Sequence, residues 1–204
     1  MLGGQTSGQL RRDTNLQGAF TFEGWVRPDG SGVARDILES SVNLALGAVG
    51  SLHARITFPG EVRVVDLRTA PLGLSGRWHH VALTRTDDRI AIYVDGTSVA
   101  EGPATPVLHR YAINMFFGGS FGPNARWPGG LDELAIYDRA LNADTIRDHA
   151  CVGEDGRHPS RRPPHRSARC RRRTRGRTSS RPRAGRPSAA PSTAHRWRRA
   201  PPIT

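Results

Sequence analysis

From residue 19 onward, apolar side chains fall on alternate positions in short runs separated by Gly, Pro, Asp and Asn. In residues 19–26 (AFTFEGWV), Phe20, Phe22 and Trp25–Val26 are interleaved with Thr21 and Glu23–Gly24. A period of two suits a strand with one face on a core. Arg27-Pro28-Asp29-Gly30-Ser31-Gly32 then supplies turn chemistry. Residues 36–46 (DILESSVNLAL) read as two short strands, because no helix-length apolar stripe continues on either side. The runs 52–58 and 61–67 alternate again and are split by Pro59-Gly60, the pattern of a hairpin.

The next pair of runs is clearer. Val81 and Leu83 face one way and Ala82 and Thr84 the other, and Ile90, Ile92 and Val94 form a matching face beyond Asp87-Asp88. Asp95-Gly96 predicts a two-residue type I′ turn, in which both residues need positive φ. Residues 97–100 would be the returning strand, 111–117 (YAINMFF) another, and Leu131–Tyr137 the closing one after a Gly- and Pro-rich loop at 118–130. One short helix follows, with Asn142 as N-cap, Asp144 in the first turn, where the helix dipole favours an anion, and Ile146 turned back to the body. Many short strands with turn chemistry between them predict an all-β antiparallel sandwich. A strand preceding the Phe20–Val26 run is hard to find within residues 1–17.

Composition divides the chain near residue 150. Residues 1–150 carry 14 Arg against 16 acidic residues, whereas 151–204 carry 16 Arg against Glu154 and Asp155. The net charge of +12 therefore belongs to the tail. Arg, Pro, Ser and Ala with almost no aliphatic residues cannot bury enough apolar surface to offset ordering entropy. The expected organisation is a folded domain over 1–150 and a disordered basic tail over 151–204. Lys is absent, which a GC-rich coding bias explains. Cys151 and Cys170 could pair, although two cysteines in such a segment are a weak disulfide signal. No window reaches the ~18 apolar residues of a membrane span, and the N-terminal residues lack the apolar stretch of a secretory leader, which predicts either a cytoplasmic protein or a leader upstream of this start.

Three ordered motifs carry a resemblance. Trp78-His79-His80-Val81-Ala82-Leu83-Thr84 with Ile92-Tyr93-Val94-Asp95-Gly96, then Gly130-Leu131-Asp132-Glu133-Leu134-Ala135-Ile136-Tyr137, and earlier Phe20-Thr21-Phe22-Glu23-Gly24-Trp25-Val26, resemble the laminin-G-like, pentraxin-like modules. These belong to the concanavalin-type jelly rolls. The resemblance spans about residues 18–150 and implies a non-catalytic module that binds carbohydrate or an extracellular protein surface, hence a secreted location. It implies an inward-packed large apolar residue near Trp127, and it maps the family's calcium-ligating Asp onto Asp132. The open alternative is that Asp132 and Glu133 hydrogen-bond backbone amides of neighbouring loops.

Candidate chemistry narrows the choice further. Jelly-roll glucanases place Glu-x-Asp-x-x-Glu on one strand, so that the carboxylates share a face. That spacing does not occur here; Glu61 and Asp66 would point to opposite faces, and Asp87-Asp88 is a turn. His79 and His80 are adjacent on a strand and cannot converge on one ion, so His80 is expected to be a partly buried packing residue. Trp25 and Trp78 are expected in the core. Tyr111, Phe121, Asn124 and Trp127, in or near late loops, are the candidate ligand-binding residues, with Phe121 and Asn124 the most exposed. The tail's Arg content gives the electrostatic footprint of a polyphosphate binder, which makes nucleic-acid association the rival function.

Overall fold

The computed structural model describes residues 8–11, 18–31, 34–39, 42–56, 65–74, 76–104, 114–119, 127–152 and 195–196. In chain order these form β1 (Gly8–Arg11), β2 (Phe20–Pro28), β3 (Arg35–Glu39), β4 (Val42–Leu46), β5 (Leu52–Ile56), β6 (Val65–Arg68), β7 (His79–Arg85), β8 (Arg89–Val94), β9 (Thr97–Pro103), β10 (Asn114–Phe117), β11 (Gly129–Tyr137), α1 (Ala143–Val152) and β12 (His195–Arg196). One sheet runs β1-β10-β3-β4-β5-β6 and the other β12-β11-β2-β7-β8-β9, with every described pairing antiparallel.

The predicted alternation sets the inner faces. Phe20, Phe22 and Val26 of β2, Val81 and Leu83 of β7, and Ile90, Ile92 and Val94 of β8 meet Leu38, Leu44, Leu52, Ala54 and Ile56 of the opposite sheet in one buried cluster. Phe22 and Phe117 stack across the two layers at 6.0 Å. The two runs within 36–46 are indeed the strands β3 and β4, paired antiparallel with a register shift between Asp36 and Leu38. Asp95 and Gly96 have φ of 49° and 73°, as the turn between β8 and β9 requires.

On the far side of the second sheet, Ala82, Ala91 and Tyr93 pack against Leu141 and Ile146, so α1 covers an outward face. Asn142 caps the helix, its side-chain oxygen accepting from Thr145 N–H at 2.8 Å. The helix runs to Val152, two residues past the expected boundary. Cys151 is disulfide-bonded, and its partner lies outside the described residues.

Two expectations are corrected. A strand does precede β2: β1 pairs with β10, and backbone pairing recruited it where the sequence has no apolar alternation. Trp78 is only half-buried, held between the Arg27 guanidinium, 5.4 Å from its ring centre, and Gly130. Apart from these corrections, His195 and Arg196 pair with Ile136 and Ala135 on the outer edge of β11. The Pro59-Gly60 hairpin lies outside the described residues, although β5 and β6 pair as it implied.

Candidate functional site

One end of the sandwich carries an open cleft of about 240 Å³. It is walled by the β2–β3 turn (Pro28 to Ser31), the β4–β5 turn (Gly47 to Gly50), Gly73–Leu74, and Trp127–Pro128. Backbone hydrogen bonds tie these separate turns to one another. Asp29 N–H donates to the Pro128 carbonyl at 3.0 Å, Gly76 N–H to Pro28 at 2.9 Å, and Leu72 N–H to Gly50 at 3.1 Å. The β4–β5 turn closes on itself through Gly47 N–H to Ser51 and Gly50 N–H to Gly47, at 2.7 and 2.9 Å. It lifts Val49 into solvent, 71% exposed, beside the exposed Ala48. Asp29 lies on the opposite rim, where hydrogen bonds from Ser31 hold its carboxyl below the ordinary range. The cleft thus presents an apolar knob, an anion and a glycine-rich wall on a braced rim.

Of the residues singled out in the sequence, Tyr111, Phe121 and Asn124 lie outside the described residues. Trp127 does line the cleft wall, but it is 1% exposed and part of the core. Its indole N–H donates to Gly130 at 3.3 Å, so its ring face is closed to a sugar. Its inward packing follows from its size and from the Trp127 N–H bond to the Gly118 carbonyl at 2.6 Å, which pins the loop ends together. Residues 119–126, with Phe121 and Asn124, lie between those tied ends.

Asp132 sits on β11 opposite Trp25, half-buried. Its Oδ1 accepts the N–H of the next residue on the strand, Glu133, at 2.8 Å. Glu133 has φ of +48°, and the register against β2 shifts between Asp132 and Ala135. No group of three His, Cys, Asp or Glu side chains placed to hold a metal ion occurs among the described residues.

The solvent side of the first sheet carries a polar row. Asn43 donates to Asp36 at 2.7 Å and accepts from Arg55 at 3.2 Å, while His53 and Arg68 both meet Asp66 Oδ1, at 2.5 and 3.4 Å. Burial lowers the His53 pKa more than Asp66 and its hydrogen bond raise it.

A second cluster, unnoticed in the sequence, lies beneath α1. Glu23 points away from the core and is 6% exposed. Its carboxylate accepts Tyr137 O–H at 2.8 Å and contacts His149 Nδ1 at 2.8 and 3.1 Å; His80 Nε2 lies 3.6 Å away. Burial alone would push Glu23 up, but the bond to His149, the attraction of His80 and His149, and the Tyr137 bond leave it below its ordinary value. His80, 2% exposed, is held down by desolvation, which Glu23 only partly offsets. Its neighbour His79 turns to Asp95 Oδ2 at 2.9 Å, so the two histidines do face different partners. Glu23 was hidden because an acid inside an alternating strand reads as a solvent position. A helix laid over that face reverses the inference.

A laminin-G-type family model, described as the concanavalin A-like lectin/glucanases superfamily, matches residues 2–147. Among solved structures, the binding domain of Paraclostridial Mosquitocidal Protein 1 is similar with TM-score 0.61 and 17% identity, over 73% of this chain and 41% of that one. The binding domain of botulinum neurotoxin DC in complex with rat synaptotagmin II gives 0.53 and 10%, over 67% and 36%. Domains LG4-5 of the mouse laminin alpha1 chain give 0.52 and 17%, over 67% and 41%. This chain thus spans about two-fifths of the length of these three structures.

Proposed function

The chain belongs to the concanavalin A-like lectin/glucanases superfamily, and from that premise we propose that its body is a non-catalytic module binding carbohydrate or an extracellular protein surface through the cleft-bearing loop end. The observation that carries this reading is the braced cleft with Val49 raised at its rim. A solvent-facing apolar side chain on a pinned turn costs little ordering entropy when a partner covers it. Asp29 and Ser31 supply polar contacts on the facing rim, as a site that must orient a ligand needs. Phe121 and Asn124 belong to the same proposal as ligand contacts, since Trp127, which follows them closely in the sequence, lines the cleft. The toxin binding domains and laminin domains support the reading through their fold. A secreted location follows from the same reading.

The test is a glycan array, with a binding screen against extracellular proteins, on wild type and Val49→Asp. A hit that the variant weakens about tenfold or more supports the cleft; a hit that the variant leaves intact moves the site elsewhere. Calcium is a separable part of the proposal. Asp132 would hold it together with backbone carbonyls and water, since the described residues contain no cluster of three His, Cys, Asp or Glu side chains placed to hold a metal. A thermal shift on adding calcium that Asp132→Ala abolishes supports that part, and an unchanged wild-type melt rejects it.

A further inference from the structure

The cluster under α1 holds two imidazoles against one buried carboxylate, and the mismatch has a consequence. Glu23 from β2 can neutralise a single imidazolium. His149 of α1 is in direct contact with it, so a proton on that ring strengthens the attachment of the helix. His80 of β7 faces the same carboxylate from the floor, at 3.6 Å, and its Nδ1 has no hydrogen-bond partner among the described residues. The other titratable groups facing the trio are Tyr137 of β11, which donates to Glu23, and Asp95 of the β8–β9 turn, which is engaged by His79 Nδ1 and the His80 N–H. Asp144 and Arg147 pair with each other on an exposed part of the helix. A second imidazolium in this pocket would therefore be an uncompensated buried charge, the kind of group a folded protein expels or hydrates.

The helix is the part able to yield. It has ten residues, too few to be stable alone, and buries only Ile146 and Ala150. The sheet beneath is held by the continuous β2–β7–β8 ladder. We propose that the trio is an acid-released latch: α1 stays docked while Glu23 faces at most one imidazolium, and leaves the sheet when the second imidazole takes a proton. Release would uncover Ala82, Ala91 and Tyr93, turning a closed face into an apolar one available only at mildly acidic pH.

Amide hydrogen exchange of the full chain between pH 7.5 and 5.0, corrected for intrinsic rates, tests this. Protection of residues 147–152 should fall about tenfold or more, since one pH unit is a factor of ten in proton activity, while β2 and β7 keep theirs. Trp25, edge-on to His80 at 5.4 Å, provides an independent probe, because the charged imidazolium should quench its emission over the same interval. His80→Gln should flatten the response. Should that variant fail to fold, His149→Gln serves instead, since it also limits the pocket to one imidazolium. Constant helix protection in wild type overturns the proposal. So does an unchanged drop in the folded variant, or a loss shared equally by β2 and β7, which would be acid unfolding of the sandwich.

Discussion

Alanine at Gly96 separates the strain of a turn from the docking of the helix. Gly96 has φ of +73°, a conformation that costs an alanine about 1 kcal/mol. A Cβ there would also stand 2.8 Å from Arg147 Cα and 3.2 Å from its Cβ and Cγ. The nearest of these is helix backbone, which no rotamer change moves, so α1 itself must shift outward. Ile146, now 0% exposed, would then lose part of its contact with Ala82, Ala91 and Tyr93. Partial loss of such packing costs about 1–2 kcal/mol, giving a total of about 2–3 kcal/mol.

Gly73 is the control. Its φ is +62°, and nothing lies within 4 Å of the position a Cβ would take, so Gly73→Ala should show the conformational cost of about 1 kcal/mol alone. Urea unfolding of both variants under one set of conditions should separate them by about 1–2 kcal/mol, or roughly 2–8 °C in Tm for a body of this size. Equal losses would refute the reasoning, because they would mean that α1 does not rest on the turn. Accelerated exchange confined to residues 147–152 in Gly96→Ala should accompany the larger loss.

Ile92→Ala, at a 0% exposed position between the layers, should lower stability by about 2–5 kcal/mol in the same assay, and a loss below about 1 kcal/mol would deny the sandwich core. Stability should fall as pH drops below the ordinary imidazole value of 6.5, because His80 is depressed in the folded state and the unfolded chain takes the proton first. Glu23 is also depressed, so a further loss should follow below its ordinary 4.5 and end once its folded pKa is passed. A urea midpoint flat from pH 7 to 5 would contradict the first assignment, and one flat below pH 4.5 the second. Affinity for duplex DNA should reside in residues 151–204 and drop by about 10³ or more between 50 and 200 mM salt if several arginines meet phosphates; retention of that affinity by a 1–150 truncation would remove the rival function.

Much of the architecture was legible because each run of the body has period two and the turns between runs carry their own chemistry. Val81, Leu83, Ile90 and Ile92 were assigned to the core from spacing alone and are all at most 1% exposed. The site was less legible. Val49 sits in a run, Gly47-Ala48-Val49-Gly50, with no periodicity, so nothing in the sequence marks it as raised into solvent. Loop composition pointed Trp127 towards a ligand and the family resemblance pointed it towards the core, and the side chain is buried. Glu23 and His149 are 126 positions apart, and only the register of β11 on β2 brings the helix over the acid. Local pattern carries no information about such a contact.

The closing strand shows how a structural demand can imitate a functional motif. Counting by two from Leu131 would send Glu133, Ala135 and Tyr137 into the core and expose Leu134 and Ile136. Instead Leu131, Leu134 and Ile136 all pack on the main cluster, while Tyr137 packs on the helix side. The inserted residue is Glu133, whose φ of +48° absorbs the extra step and resets the phase. Asp132 steadies the irregularity through Glu133 N–H, and Gly24 opposite leaves room for it, since a Cβ there would meet Leu134 Cδ2 at 2.5 Å. The Gly-x-hydrophobic-Asp-Glu pattern therefore has a sufficient cause in the fold: it turns the strand so that one end of it fills the core and the other presents Tyr137 to Glu23. Asp132→Ala should then loosen β11 even in the presence of chelator, which separates its part in the bulge from any part in holding an ion.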